Sequence, residues 1–331
     1  MKFVVNTKYN AAGTVVLEGI VVRLKNSIEH TVSRNDFDHY GNYDVAIFMA
    51  PDSRLREAKK QNNRLLCGIF DPKVTLLWQK KEVRSADFLI VSSIEQREFF
   101  LKYNKNVFIY YMFPDLPEIE KVHICKEKII IGYHGNKQHL NAMRDLSWAL
   151  DRLSEKHSVE FHAIYNIKKL GKWNKNLPKK CPVHHVQWTG DSVVNNLAKC
   201  DIGVLPSLLP APSIFARPFV TFLLNKEGYH NNDYVSRYKL TTNPGRLYVF
   251  TRAGLPVVSD FTPSSCQFIE DGKSGMLVGT KEGWLNSLEF LMNNFEKREI
   301  FAVNLKKTIH EKYSIDKNFI QFLDFIKNGI R

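Results

Sequence analysis

The residues of this chain best suited by type and spacing to do chemistry are cations and glycines set in short loops. Arg246-Leu-Tyr-Val-Phe-Thr-Arg-Ala-Gly-Leu-Pro-Val-Val-Ser-Asp260 reads as a helix stopped at Gly254, a turn at Leu255-Pro256 and a short apolar strand. Gly254 can end a helix in a left-handed conformation, and Pro256 cannot continue one. The helix is fed by the polar loop Thr241-Thr-Asn-Pro-Gly245. A loop of that kind opens onto free backbone N–H groups and a positive dipole end, which suits an anion. Arg237 and Lys239 stand just before it, either as partners of that anion or as solvated loop charges. Ile131-Gly-Tyr-His-Gly-Asn-Lys137 is a second strand-then-loop segment. There Gly132 and Gly135 would let a ligand approach the backbone, and Lys137 could reach a phosphate. An ordinary strand-to-helix turn explains the same residues, and the glycine spacing is not that of a dinucleotide fingerprint.

Other chemistries have weaker support. Asp36-Phe-Asp38 spells a metal-carboxylate pair, but it lies in the polar loop Ser33–Gly41 before a strand rather than at a strand's end. The eleven histidines form no metalloprotease pattern, and His184-His185 reads as a surface pair. Nucleophilic hydrolysis lacks a Gly-x-Ser-x-Gly elbow. The five cysteines are scattered, without metal-ligand spacing, as expected of free thiols in a reducing cytosol.

Positioning these residues requires βα units. Short apolar strands are expected at Lys2–Asn6, Tyr43–Met49, Leu65–Phe70, Ala86–Ser92 and Val107–Met112, with helices at Thr14–Lys25, Ser53–Gln61 and Ile94–Lys102. Phe113–Lys121 is Pro-rich and unpatterned, and the pattern restarts at Lys128. Strands follow at 128–133, 159–165, 183–188 and 202–206, with a long helix from the His134–Lys137 loop to about Lys156. Asp201-Ile-Gly-Val-Leu-Pro206 is adequately explained as a core strand. Residues 207–240 are a long insertion, in which Phe215, Arg217, Tyr234 and Arg237 are specificity candidates. The expectation is therefore two α/β sheets: residues 1–117 with a returning C-terminal helix (316–331), a linker at 118–127, and a second domain at 128–315.

At 331 residues the chain is long enough for two cores. No apolar run reaches the length of a membrane span, and the N-terminus enters a strand without a signal-peptide core. The net charge of +13 fits solvated helix faces, nucleic acid, an anionic membrane or phosphate-bearing substrates. No compact basic module interleaved with aromatics points to nucleic acid. The densest basic run, Arg54–Arg64 with Lys73, Lys80, Lys81 and Arg84, suits a membrane face better than a groove reader.

Taken in order, four pieces of the second half resemble the donor domain of GT-B glycosyltransferases of the group 1, family-four-like class. They are Ile131–Lys137; Trp188-Thr-Gly with Leu197-Ala-Lys-Cys-Asp-Ile-Gly-Val-Leu-Pro206; Lys239 with Arg246–Val258; and Ile269-Glu-Asp-Gly-Lys-Ser-Gly-Met-Leu-Val278. Gly68–Asp71 and Ala86–Ser93 resemble the acceptor domain more faintly. The resemblance implies two Rossmann-like domains facing across a cleft, with the C-terminal helix crossing back to the first. It implies a nucleotide-diphosphate sugar held by Gly135, Asn136, Lys137, Trp188, Arg237, Lys239, Asn243, Gly245, Arg246 and Leu247, with no metal and no cofactor. The family's Glu–seven residues–Glu pair reads Thr241 and Val249 here, and Val249 cannot accept hydrogen bonds from ribose.

The resemblance implies metal-independent transfer to a hydroxyl of a glycan or lipid-linked acceptor; the free thiols place it in the cytoplasm, and the basic Arg54–Arg84 surface would then face an anionic membrane at its inner side. Whether the reaction retains or inverts stereochemistry is open. If it inverts, a base is needed, and Asp71 at the end of a first-domain strand is the best-placed carboxylate, unless it only initiates the turn before Pro72. The rival readings are a non-catalytic GT-B module binding sugar, nucleotide or a partner protein, which the absent Glu pair favours, and a basic nucleic-acid binder.

Overall fold

The computed structural model describes residues 1–7, 14–50, 53–111, 113–210, 236–238 and 244–330. The chain divides into two compact units, Met1–Asp115 with Asn243–Gly245 and His310–Arg331, and Leu116–Thr242 with Arg246–Ile309.

The first unit is built on β1 (Lys2–Asn6), β2 (Thr31–Arg34), β3 (Val45–Met49), β4 (Leu66–Phe70), β5 (Phe88–Val91) and β6 (Val107–Ile109). They lie in the order β2-β1-β3-β4-β5-β6, every pair parallel. A parallel sheet is covered on both faces, which is why its strands read as unbroken apolar runs. Phe3, Val5, Ile47, Phe70 and Ile90 point to one face, against Leu17, Ile20, Val21 and Leu24 of the helix Thr14–Lys25. Val4, Ala46, Phe48, Ile69 and Leu89 point to the other, against Leu55, Ala58, Val83 and Phe100.

The returning C-terminal helix, expected within 316–331, runs Ile315–Asp324. Its Phe319 and Phe322 join the first face of the sheet, followed by Ile326. Asn318 continues the β6 edge: its Oδ1 accepts from Tyr111 N at 2.9 Å and its Nδ2 donates to Ile109 O at 3.1 Å. A buried amide that satisfies two backbone groups in this way fixes the helix along the strand.

Two elements of this unit were not expected. Thr31–Arg34 forms a strand that takes in Ser33 and Arg34, the first residues of the segment read as a polar loop, and Leu77–Ser85 forms a helix that buries only Val83.

The second unit carries β7 (Lys128–His134), β8 (Ser158–Tyr165), β9 (Val183–Gln187), β10 (Ile202–Leu205), β13 (Val257–Asp260) and β14 (Met276–Val278). Their order is β14-β13-β10-β7-β8-β9, again all parallel. The order turns back at β7 and β10, the topological switch point where such sheets take ligands beyond their carboxyl ends. β11 (Leu208–Pro210) and β12 (Ser236–Tyr238) pair antiparallel at the base of the insertion.

The expected long helix after β7 is two, Lys137–Ala142 and Arg144–Ser154, broken at Met143 (φ −82°, ψ 50°). The segment read as a linker is held along the second unit. Ile119 N donates to Arg252 O at 2.8 Å, Lys121 Nζ to Ala198 O at 2.7 Å, and His123 Nε2 contacts Gly254 O at 2.9 Å. Gly254 has φ +68°, and a Cβ there would stand 2.8 Å from the Lys121 Cβ. Glycine is thus required twice, by the helix stop and by the chain that crosses it.

Candidate functional site

The candidate site lies at the carboxyl ends of β7, β10 and β13, and it is assembled around Arg246. This residue lies in the first turn of the helix Gly245–Arg252. Its Nη2 donates to Ser207 Oγ at 2.8 Å and its Nη1 to Pro206 O at 3.3 Å, just past β10. Ser207 N in turn donates to Asp260 Oδ2 at 2.5 Å, at the end of β13. The guanidinium also bonds the Tyr133 phenol of β7, whose hydroxyl donates to Asn136 O at 2.8 Å. One side chain therefore ties together the ends of the three central strands. Burial lowers its pKa, and the Tyr133 and Asp260 oxygens oppose that shift.

The glycines of the β7 segment divide. Gly135 has φ +143°, and a Cβ there would come within 2.8 Å of both Arg246 Cδ and Tyr133 Oη. Its absent side chain makes room for the Arg246 network. Gly132, expected to admit a ligand, does not: its missing Cβ would stand 2.6 Å from Cys200 Sγ. Gly132 is a packing glycine inside the sheet.

Asn136 caps the following helix, its Oδ1 accepting from Gln138 N at 2.9 Å. The Lys137 ammonium lies against Gly171, 3.5 Å from where a Cβ of that residue would stand, over the loop after β8. Among the described residues it has no ion pair. His134 is buried at the end of β7, with its ring edge-on to Phe250 at 5.1 Å between centroids. Burial pulls its pKa down to about 4, so the ring is neutral at neutral pH. Its Nε2 lies 3.1 Å from Arg246 O, which can only accept, so Nε2 carries the proton.

The other expected donor-side residues fall as follows. Trp188 follows edge strand β9, half-buried, with its N–H bonded to Tyr165 O at 2.9 Å. Leu247 is buried, so a ligand could reach only its backbone, in the first helical turn. Gly245 begins the helix. Arg237 lies on β12, and the base of this ribbon at β11 packs beside the Lys137–Ala142 helix. Lys239, Thr241 and Asn243 lie outside the described residues, as do Phe215, Arg217 and Tyr234. Val249 is buried in the helix and offers no hydrogen-bonding group.

In the first unit, Asp71 directly follows β4 with φ +51°, a conformation that asparagine and aspartate tolerate better than other side chains. Burial raises its pKa, and Lys73, whose Nζ donates to Asp71 Oδ1 at 2.8 Å, opposes the shift. Asp36 is saturated locally. It accepts from Tyr43 Oη at 2.8 Å, from His39 N at 3.1 Å and from Asp38 N at 3.2 Å, and it pairs with His39 Nδ1 at 3.0 Å. Asp201 sits at the opposite, amino end of β10. There it accepts from Lys126 Nζ at 2.6 Å and Ile130 N at 2.9 Å, a structural clamp. Sequence reasoning passed over Tyr133, His134, Ser207 and Asp260 as site residues. Asp260, a carboxylate closing an apolar strand, was the available signal.

No family model and no curated protein sequence matches the chain. Solved structures do. Anabaena Alr3699/HepE in complex with UDP-glucose superposes with a TM-score of 0.62 at 12% identity, over 99% of both chains. Sucrose-phosphate synthase from Thermosynechococcus elongatus gives 0.65 at 9% identity, also over 99% of both. TarM gives 0.59 at 15% identity and covers 86% of this chain, which spans only 55% of TarM's length. Two parallel six-stranded sheets with interleaved helices, matched along the whole chain, give this protein the GT-B fold of those glycosyltransferases.

Proposed function

We propose that the protein transfers a sugar from a nucleotide-diphosphate sugar to a hydroxyl of a glycan or lipid-linked acceptor, without a metal ion. The observation that carries this reading is the corner at the β7/β10 switch point. There Arg246 fixes three strand ends, Gly135 leaves the space this requires, and the Lys137 ammonium has no ion pair among the described residues. Fixed cations and backbone dipoles of this kind stabilise a leaving diphosphate without reorganising during the reaction. Lys137 would meet the diphosphate, with Arg237 and Lys239 from the insertion. Arg246 would hold the corner in shape, and Asn136, Trp188, Asn243, Gly245 and Leu247 would complete the donor side. Because HepE is seen with UDP-glucose, UDP-sugars are the first donors to test.

Asp71 is the proposed base on the acceptor side. Its raised pKa gives it more proton affinity than an ordinary carboxylate, as a base for a sugar hydroxyl requires. An acceptor carried by membrane lipid is supported by Leu76, Leu77 and Trp78, large exposed apolar residues followed by Lys80, Lys81 and Arg84. Apolar anchors beside cations suit the inner face of an anionic membrane. Among the described residues no helix is long and apolar enough to cross a membrane.

Val249, in place of a ribose-binding carboxylate, favours a second reading, a module that binds nucleotide or sugar without transfer. Calorimetric titration with a panel of nucleotides and nucleotide sugars, followed by product analysis with hydroxyl acceptors, separates the two. Binding with transfer supports the first reading and binding without transfer the second. Failure of every nucleotide to bind refutes both.

A further inference from the structure

The middle of the β8–β9 strand pair, at the edge of the second sheet, holds a cluster that the transfer reaction does not use. Glu160 and His162 are two residues apart on β8 and so share a face, and His184 on β9 pairs directly with His162. His162 Nε2 lies 3.7 Å and His184 Nε2 3.5 Å from the same oxygen, Glu160 Oε2. The two rings are 5.0 Å apart, and one ligand atom from each of the three residues lies within 4.8 Å of the others. Glu160 Oε1 is engaged by Lys128, which leaves Oε2 turned toward both imidazoles. A zinc ion with bonds of about 2.0–2.2 Å needs tetrahedral ligand edges of roughly 3.3–3.6 Å; the two edges to Glu160 Oε2, 3.7 and 3.5 Å, are already close to that, and the edge between the two imidazoles, within 4.8 Å, would close on the ion. Among the described residues no other group of three histidine, cysteine or acidic side chains is so placed.

We propose that Glu160, His162 and His184 bind a zinc ion. The two-nitrogen, one-oxygen ligand set is a recurrent zinc set, and the 52% exposure of the His184 side chain leaves the fourth position open to water. Two ligands come from β8 and one from β9, so the ion clips the edge strand to its neighbour. The cluster is separate from the candidate site. His162 stands three residues before the carboxyl end of β8, about 10 Å along the strand, so this reading does not depend on the proposed transfer.

The test is titration of the metal-free full chain with Zn2+ by calorimetry and with Co2+ by visible absorption, alongside His184→Ala, Glu160→Gln and His185→Ala. One equivalent should bind to the wild type and raise its thermal midpoint. His184→Ala should lose more than about tenfold in affinity, the loss that even an indirect metal partner causes. His184 is solvent-exposed, so this variant should fold, and Glu160→Gln should weaken binding without changing side-chain volume. His185 bonds the Tyr165 hydroxyl at 2.9 Å instead, and His185→Ala should keep the full equivalent. No stoichiometric binding by the wild type, or equal binding by His184→Ala and Glu160→Gln, overturns the proposal.

Discussion

His134 makes stability at acid pH a direct test of the β7 corner. The imidazole is buried beside Phe250 and shares its surroundings with the Arg246 cation, and burial is the larger cause of its depressed pKa. In the unfolded chain it takes up a proton near 6.5, whereas in the folded chain it resists until about 4. The unfolded state therefore binds the extra proton throughout that interval. The contribution to stability is complete above pH 6.5, declines as pH falls, and is fully lost near pH 4. A shift from 6.5 to about 4, at about 1.4 kcal/mol per pH unit, makes this loss about 3 kcal/mol for His134 alone. His30 and His123 are also shifted down, chiefly by burial, and add slopes of the same sign. The assay is urea unfolding at a series of pH values from 7.5 to 4.5, for the wild type and for His134→Gln. Glutamine keeps a donor for Arg246 O but cannot take the proton. Its curve should lie lower at pH 7.5 and fall less steeply, by up to about one proton's worth of slope. Equal slopes in the two proteins, or a His134 ring that titrates near 6.5 in the folded state by NMR, would refute the reasoning.

Four further outcomes are expected. Gly135→Ala places a methyl 2.8 Å from Arg246 and Tyr133 at φ +143°, so it should cost about 1–3 kcal/mol in chemical unfolding and weaken nucleotide binding together. Phe322→Ala removes a fully buried ring that lies 5.7 Å from Phe108 and 5.8 Å from Tyr110. The loss should be about 3–5 kcal/mol by the same assay, and the C-terminal helix should become sensitive to proteolysis. Lys137→Met should weaken a nucleoside diphosphate about tenfold, or about 1.4 kcal/mol, and a nucleoside hardly at all, as read by calorimetry. Asp71→Asn should abolish transfer while leaving donor affinity intact, and in the wild type the acid limb of kcat/KM should fall above the 3.8 of an unperturbed carboxyl.

Most of the strands were legible because strands buried on both faces leave long apolar runs, as at Val45–Met49 and Lys128–His134, whereas their order in the sheets was not read from the sequence. Gly254 was legible too, since a glycine before Leu-Pro has few other uses. Thr31–Arg34 was not. It is a four-residue edge strand with no fully buried residue, and neither alternation nor an apolar run marks it. The helix Leu77–Ser85 was hidden because its apolar residues face outward and only Val83 faces in. The break at Met143 leaves no trace, because Leu140, Met143, Leu146 and Leu150 keep helical spacing across it. Roles resisted reading more than elements did. Gly132 looked like a ligand glycine because the sulfur that fills its space comes from Cys200, far along the chain.

Arg246 is the sharper case. A positive charge before an anion-binding corner invites a direct role, yet its partners come from residues more than a hundred positions earlier and some forty positions earlier. Spacing on the helix gives this a consequence. Val249 stands three residues on, one turn from Arg246, where a carboxylate would face the guanidinium. Here Ser207, Pro206 and Tyr133 already engage that guanidinium, and Asp260 supplies the compensating charge through Ser207. A valine can therefore stand at position 249 without stranding a buried cation. The helix itself packs on β10 through the next residue, Phe250, which fills the space left by Gly203. A nucleotide in this corner would find fixed donors and cations for its phosphates and an apolar turn where its ribose would seek an acceptor. Affinity should therefore follow the number of phosphates more closely than the identity of the nucleoside, which is why the contrast between diphosphate and nucleoside in Lys137→Met is the discriminating one.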